Sequence, residues 1–258
     1  HGILGSKQNL RSFARKVSKA FPSARCVLVD LPAHGDNPAL AAAAAAAATD
    51  GTRGNKAGAT RTVEDCAGDV GRLLREDLGI RPSCIVGHSF GGKVALTLLR
   101  DEAVRPRACW VLDSQPGLVQ IRGKAATKNP NSVEAIIDTI ADDLTPPFAS
   151  KEDMMAQMEA AGIDLGIRHW MTTNVVRNAT GTLDWKFDID AVKHLFVDYC
   201  GRDMWSSLGA KAVQGCEVHL VRATRNAFWS REETQAQLAE QQAANPSALF
   251  VHDVDAGH

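Results

Sequence analysis

The chain has 258 residues, 45% of them hydrophobic, enough to bury a sizeable core in one large domain or in a core with an inserted cap. Its 29 Lys and Arg nearly balance 30 Asp and Glu, so no field of one sign points to nucleic acid or an anionic membrane, and the expected partner is a small molecule. No apolar run approaches the ~20 residues that span a bilayer and no signal peptide is visible, so a soluble, intracellular protein is expected, with cytoplasm, mitochondrion and chloroplast equally compatible.

The chain opens on a Gly-rich segment, His1-Gly2-Ile3-Leu4-Gly5, and then places Leu10, Phe13, Ala14 and Val17 on one helical face. Residues 25–30 form the first of five short, unalternating apolar runs; the others are 83–86, 108–113, 217–221 and 249–251. Such runs suit strands buried on both faces. The alanine run 41–48 and the Gly-rich polar stretch after it lack a face of larger apolar residues, and predict a surface insertion over 39–61 with no part in catalysis. Val63, Ala67, Val70 and Leu74 mark the next helix, behind a Thr62-x-x-Asp65 capping box. Strand and helix in alternation give an α/β fold, a mostly parallel sheet with helices on both faces.

Between Asp113 and Glu217 the alternation stops. Ile136, Ile137 and Ile140 mark one helix, and Met154, Met155 and Met158 another, behind Ser150-x-x-Asp153, with no convincing strand. The expected organisation is a core over 1–113, a helical cap over 114–215 and the rest of the core over 216–258. Cys26, Cys84, Cys109 and Cys216 lie in or beside the apolar runs and read as buried thiols in a reducing compartment; no spacing suggests a metal site or a disulfide framework. The Asn178-Ala179-Thr180 sequon is short enough to arise by chance.

Directly after the run 83–86 comes Gly87-His88-Ser89-Phe90-Gly91-Gly92, followed by an apolar helix from Val94 to Leu99. This is G-x-S-x-G in the strand-turn-helix setting of a nucleophile elbow. Gly87 and Gly91 fit because side chains in so tight a turn would strike neighbouring backbone, while Ser89 is pushed out above the sheet. An oxyanion formed there would meet the positive end of the following helix, with the N–H of Phe90 as one donor and that of Ile3, in the Gly-rich opening segment, as the second.

A base is needed late in the chain, and His258 stands just past the last strand, after Asp255-Ala256-Gly257. His219 in a strand and His169 and His194 in cap helices have weaker claims, and His88 is expected to point away and pack. For the acid, Asp113 ends the strand after the elbow helix, whereas the loop 223–228 offers no carboxylate. Asp190 also falls between Ser89 and His258, though helix N-capping would explain it, as loop capping beside Ser114 and Pro116 would explain Asp113. A rival reading uses Gly87-x-x-x-x-Gly92-Lys93 as a phosphate loop. It is disfavoured because Val94 stands where a hydroxyl must hold magnesium.

Taken together, the opening segment through Ser6, Asp30-Leu31-Pro32-Ala33-His34-Gly35, Gly87 to Lys93, Leu112-Asp113-Ser114-Gln115-Pro116, the cap stretch through Trp185 and Asp190, and Ala256-Gly257-His258 resemble the α/β-hydrolase family. Within it they resemble the small intracellular esterases of the YbfF and abhydrolase-domain-11 kind. The resemblance covers nearly the whole chain and implies an acid after the strand following the elbow, in agreement with Asp113. It also implies a fragment truncated at both ends, since strands precede residue 1 and a helix follows residue 258 in the family. The expectation is a serine hydrolase acting through Ser89, His258 and Asp113 on an ester or thioester with an apolar acyl group, without cofactor or metal. An acyltransferase and a non-hydrolytic ligand-binding relative are the alternatives. No feature of the sequence sets an oligomeric state.

Overall fold

The computed structural model describes residues 1–37, 61–123, 129–209 and 215–258. The alanine-rich stretch of the expected insertion, 39–60, lies outside the described residues. The chain divides into two compact units, one of residues 1–3, 61–119 and 195–258, the other of 4–60 and 120–194. No helix among the described residues is long and apolar enough to cross a membrane.

The first unit is built on a four-stranded, wholly parallel sheet of β1 (Cys84–His88), β2 (Ala108–Leu112), β3 (Glu217–Ala223) and β4 (Leu249–Val254), in that order. Register aligns Ile85, Cys109, Val218 and Leu249 in one row and Val86, Trp110, His219 and Phe250 in the next. Because strand side chains alternate in direction, these rows serve opposite faces. One face is the more deeply buried: Cys109, Val111, Val218, Leu220 and Leu249 pack with Ala95, Leu96 and Leu99 of the elbow helix and its end, Leu238, Phe228 and Trp229, with Ile85 and Val251 partly buried against them. The other is half-buried and aromatic. Trp110 stacks on His219 at 4.1 Å between centroids, His219 stacks on Phe250 at 5.0 Å, and His219 Nδ1 lies 3.0 Å from His252 Nε2.

Helix α1 (Val63–Arg72) begins at the expected capping box: the Asp65 N–H donates to Thr62 Oγ1 at 3.2 Å, and the Thr62 N–H donates to the Asp65 carboxylate at 2.8 Å. Helix α2 (Phe90–Leu98) follows β1 and is buried along its whole length. Helix α3 (Ile189–Cys200) leads toward β3, and α4 (Glu232–Ala244) connects β3 to β4.

Two sequence expectations need correction here. Residues 25–30 form no strand in the structure, because an extended run becomes a strand only where a neighbouring ladder takes its N–H and C=O groups, and none does so among the described residues. Cys26 in that run is therefore exposed, as is Cys84 at the start of the edge strand β1; only Cys109 and Cys216 of the four are buried.

In the second unit the helix Arg11–Ala20 buries only Ala14 of its apolar face and leaves Phe13 exposed. The helix Val133–Asp142 buries Ile136, Ile137 and Ile140, and the helix Lys151–Ala160 buries Met154 and Met158. Ser150 caps the latter by accepting the Asp153 N–H, but the Asp153 carboxylate takes the N–H of Ala149 in place of a reciprocal bond. A hairpin of Val175–Arg177 and Leu183–Trp185 also appears, its three-residue strands too short to show alternation. Asn178 of the sequon builds its loop. The side-chain carbonyl accepts the N–H groups of Thr180 and Thr182, and the amide donates to Asp184 at 2.8 Å.

Candidate active site

The elbow lies where β1 gives way to α2. Ser89 adopts φ 50° and ψ −119°, a conformation that side chains other than glycine rarely take and that costs about 1–3 kcal/mol. Surrounding hydrogen bonds hold it there: the Ser89 N–H donates to Leu112 O at 3.0 Å, Gly92 N–H to Ser89 O at 2.8 Å and Gly91 N–H to His1 O at 3.1 Å. A Cβ on Gly87 would collide with the Gly91 carbonyl, and one on Gly91 would lie 2.6 Å from His1 O. Both glycines are thus required by close backbone approach. Phe90 opens α2 and is buried. Ile3 is buried within the opening segment, which passes the elbow so closely that a Cβ on Gly2 would sit 3.4 Å from Ser89 Cβ.

Ser89, His258 and Asp113 come together in one line of hydrogen bonds. His258 Nε2 is 2.9 Å from Ser89 Oγ, and His258 Nδ1 is 2.6 Å from Asp113 Oδ2. An ionised carboxylate can only accept, so Nδ1 carries the proton and Nε2 is left to accept from the serine hydroxyl. Each group leaves the carboxyl end of a different strand: Ser89 follows β1, Asp113 follows β2 and His258 follows β4. The loops after β3 and β4 are tied by Thr224 N–H to Val254 O at 3.0 Å and Arg225 N–H to Ala256 O at 3.1 Å, which fixes the approach to His258.

Asp113 is buried with a left-handed φ of 43° and is enclosed by donors. Its Oδ1 accepts the Ala223 N–H at 3.0 Å and the Trp229 indole N–H at 2.5 Å; its Oδ2 accepts the Asn226 amide at 3.0 Å besides His258. Burial alone would raise its pKa, but the bonds from His258, Trp229, Ala223 and Asn226 outweigh this and hold the carboxyl at about 2. Asn226 and Trp229 are the residues that sequence reasoning missed. The segment 223–228 was set aside for lacking a carboxylate, although polar and indole donors at a strand end were the available signal.

Other residues singled out in the sequence take different places. His88 does not point away: its ring stacks on that of His258, because the alternation of β1 brings it to the side of the strand end where His258 lies. Burial, and then the neighbouring His258, lower the His88 pKa to about 4. Lys93 cannot serve a phosphate loop, since its ammonium is fully buried and donates to the carbonyls of Gly117, Tyr199 and Arg202 at 2.9, 2.8 and 2.6 Å. Asp190 is exposed in the first turn of α3, and the helix cap is Asp188, which accepts the Ala191 N–H at 3.1 Å. His169 and His194 are exposed. Among the described residues no three His, Cys, Asp or Glu are grouped to hold a metal ion.

Comparison with known proteins bears on the family and the fold. The family model described as alpha/beta hydrolase family matches residues 1–258. The chain is 26% identical over 200 residues to the mouse (Mus musculus) protein named sn-1-specific diacylglycerol lipase ABHD11, covering 76% of this chain and 56% of that one. It is 23% identical over 196 residues to the Xenopus tropicalis protein of the same name, covering 76% and 54%. The chain spans little more than half the length of these relatives. Among solved structures, a marine microorganism esterase superposes with a TM-score of 0.73 at 17% identity, covering 98% of this chain and 84% of the other, a likeness of fold.

Proposed function

The chain belongs to the alpha/beta hydrolase family, and from that premise we propose that it is a serine hydrolase that cleaves a carboxylic ester or thioester by way of an acyl-enzyme. The observation that carries the reading is the unbroken hydrogen-bonded line from Ser89 Oγ through the His258 ring to Asp113.

In the proposed reaction Ser89 Oγ bonds to the acyl carbon while its proton passes to His258 Nε2. Asp113 keeps the proton on Nδ1 and stabilises the imidazolium. The carbonyl oxygen, now an anion, is met by the N–H groups of Phe90 and Ile3 at the N-terminal end of α2. Breaking the carbon–oxygen or carbon–sulfur bond releases the alcohol or thiol, which takes the proton from His258. Water, deprotonated by His258, then attacks the acyl-serine, and the carboxylic acid departs with Ser89 restored. Every proton is accounted for by these side chains and water. The names of the ABHD11 relatives support an ester over an amide.

A fluorophosphonate should label Ser89, and Ser89→Ala should abolish labelling. Turnover of short and long acyl esters and thioesters would then separate hydrolase from acyltransferase, because a transferase gives acyl product only when a second alcohol or thiol is supplied. Labelling at another residue would refute the assignment.

A further inference from the structure

We infer that Trp229 is a positioning residue for the acid of the relay: its indole N–H pins Oδ1 of Asp113 so that Oδ2 stays turned to His258. The inference rests on the proposed reading of Ser89, His258 and Asp113 as the reacting line. A carboxylate turns about a broad, two-fold torsion, so a single bond to His258 would leave its plane free. The Trp229 N–H is only a donor and reaches Oδ1 at 2.5 Å, across from the oxygen that meets His258. The ring that carries it cannot follow a rotating carboxylate, for Trp229 is buried in the sheet core and meets Phe228 edge-on at 5.1 Å.

The chain delivers that ring through a compact turn after β3. The Asn226 N–H donates to Ala223 O at 2.9 Å, the Phe228 N–H to Asn226 Oδ1 at 3.1 Å and the Trp229 N–H to Asn226 O at 3.1 Å. Asn226 then adds its amide to Oδ2, and Ala223 its backbone N–H to Oδ1. Of these donors the indole is the one whose ring is locked in the core. The titratable groups facing Asp113 and His258 are each other, His88 and the Tyr199 phenol.

The test is Trp229→Phe, which keeps an aromatic ring and removes the N–H. A positioning role predicts a fall in kcat of about tenfold to a hundredfold, the range for losing a partner that orients a reacting group, with KM within about twofold. It also predicts an acid limb of the pH–rate profile displaced to lower pH, because a carboxylate that swings away supports the imidazolium less. An unmoved limb, or one displaced upward, would overturn the inference. If Trp229→Phe does not fold, the imidazole Nδ1–H resonance of His258, followed by NMR in protein whose Trp229 is replaced by its benzothiophene isostere, gives the same decision: it must weaken or shift upfield, and an unchanged signal overturns the role. Fluorophosphonate labelling of the unmutated protein at Ser89 keeps the two questions apart, since its absence would defeat the reading of the site whatever Trp229 does.

Discussion

The imidazole of His88 lies against that of His258, with ring centroids 5.4 Å apart and planes 29° from parallel. His88 is thus a shelf for the proposed base. With its pKa lowered to about 4 by burial and by His258, it stays neutral while the base works near neutrality and adds no repulsion when the imidazolium forms.

His88→Phe should therefore keep kcat within about threefold, because the flat contact survives, whereas His88→Ala should lower it about tenfold, equivalent to about 1.4 kcal/mol of lost orientation. Steady-state kinetics on one activated ester measures both. Equal losses in the two variants would show that the imidazole nitrogens of His88 matter and the shelf does not.

Asp113→Asn should reduce kcat by roughly a thousandfold to ten-thousandfold at neutral pH, since the amide favours the wrong tautomer of His258. Asp190→Asn should leave it nearly unchanged, as the exposed Asp190 is not even the cap of its helix. Both variants should be assayed on the same substrate, with melting curves to show that the fold persists; the reverse ranking would transfer the acid to Asp190.

The bonds around Asp113 also predict a pH dependence of stability. Its pKa is about 2 in the folded chain against an ordinary 3.8. A depressed carboxylate contributes stability that is present above 3.8 and is lost as pH falls through 2, here about 2 kcal/mol in all. Urea unfolding between pH 5 and pH 2 should show this loss in the unmutated protein and a shallower one in Asp113→Asn. Parallel curves would mean that the donors do not hold an ionised group.

Lys93 predicts a slope of the same sign in the alkaline range. Burial lowers its pKa from 10.5 to about 8, so between those values the unfolded chain binds the proton more tightly, and the contribution of this group to stability rises with pH. Lys93→Met should cost about 2–4 kcal/mol near pH 7 by leaving three buried carbonyls without their donor, and should remove that alkaline rise. Urea midpoints at pH 7, 8 and 10 would measure both effects, and a variant as stable as the unmutated protein would show that water replaces the ammonium.

What could be read in the sequence follows from locality. The elbow is a contiguous pattern, Gly87 to Gly91 between a strand and a helix, and the Thr62–Asp65 capping box is four residues long, so both are visible in the linear chain. The line from Ser89 to Asp113 and His258 was legible through strand ends, because parallel sheets bring their carboxyl edges together. The enclosure of Asp113 was not, since Asn226 and Trp229 become donors to it only through the packing of β3 beside β2. Exposure of Cys26 was hidden for a similar reason: an apolar run carries no mark of whether a neighbouring ladder will receive it. The short hairpin 175–185 escaped because its pairing depends on Asn178 and its contacts, not on a period.

The parallel ladder has one more consequence. Ser89, Asp113 and the segment leading to His258 leave three strands whose rows are locked to one another, with Asp113 N–H on Val221 O at 2.8 Å and Ser89 N–H on Leu112 O at 3.0 Å. A slip of β2 by one residue would carry Asp113 about 3.3 Å along the strand and turn its side chain to the opposite face. The hydrogen-bonded line of Ser89, His258 and Asp113 tolerates no such step, so it acts as a vernier on strand alignment, and the proposed ester turnover, measured on a refolded sample, would report the fraction of molecules whose sheet has assembled in register.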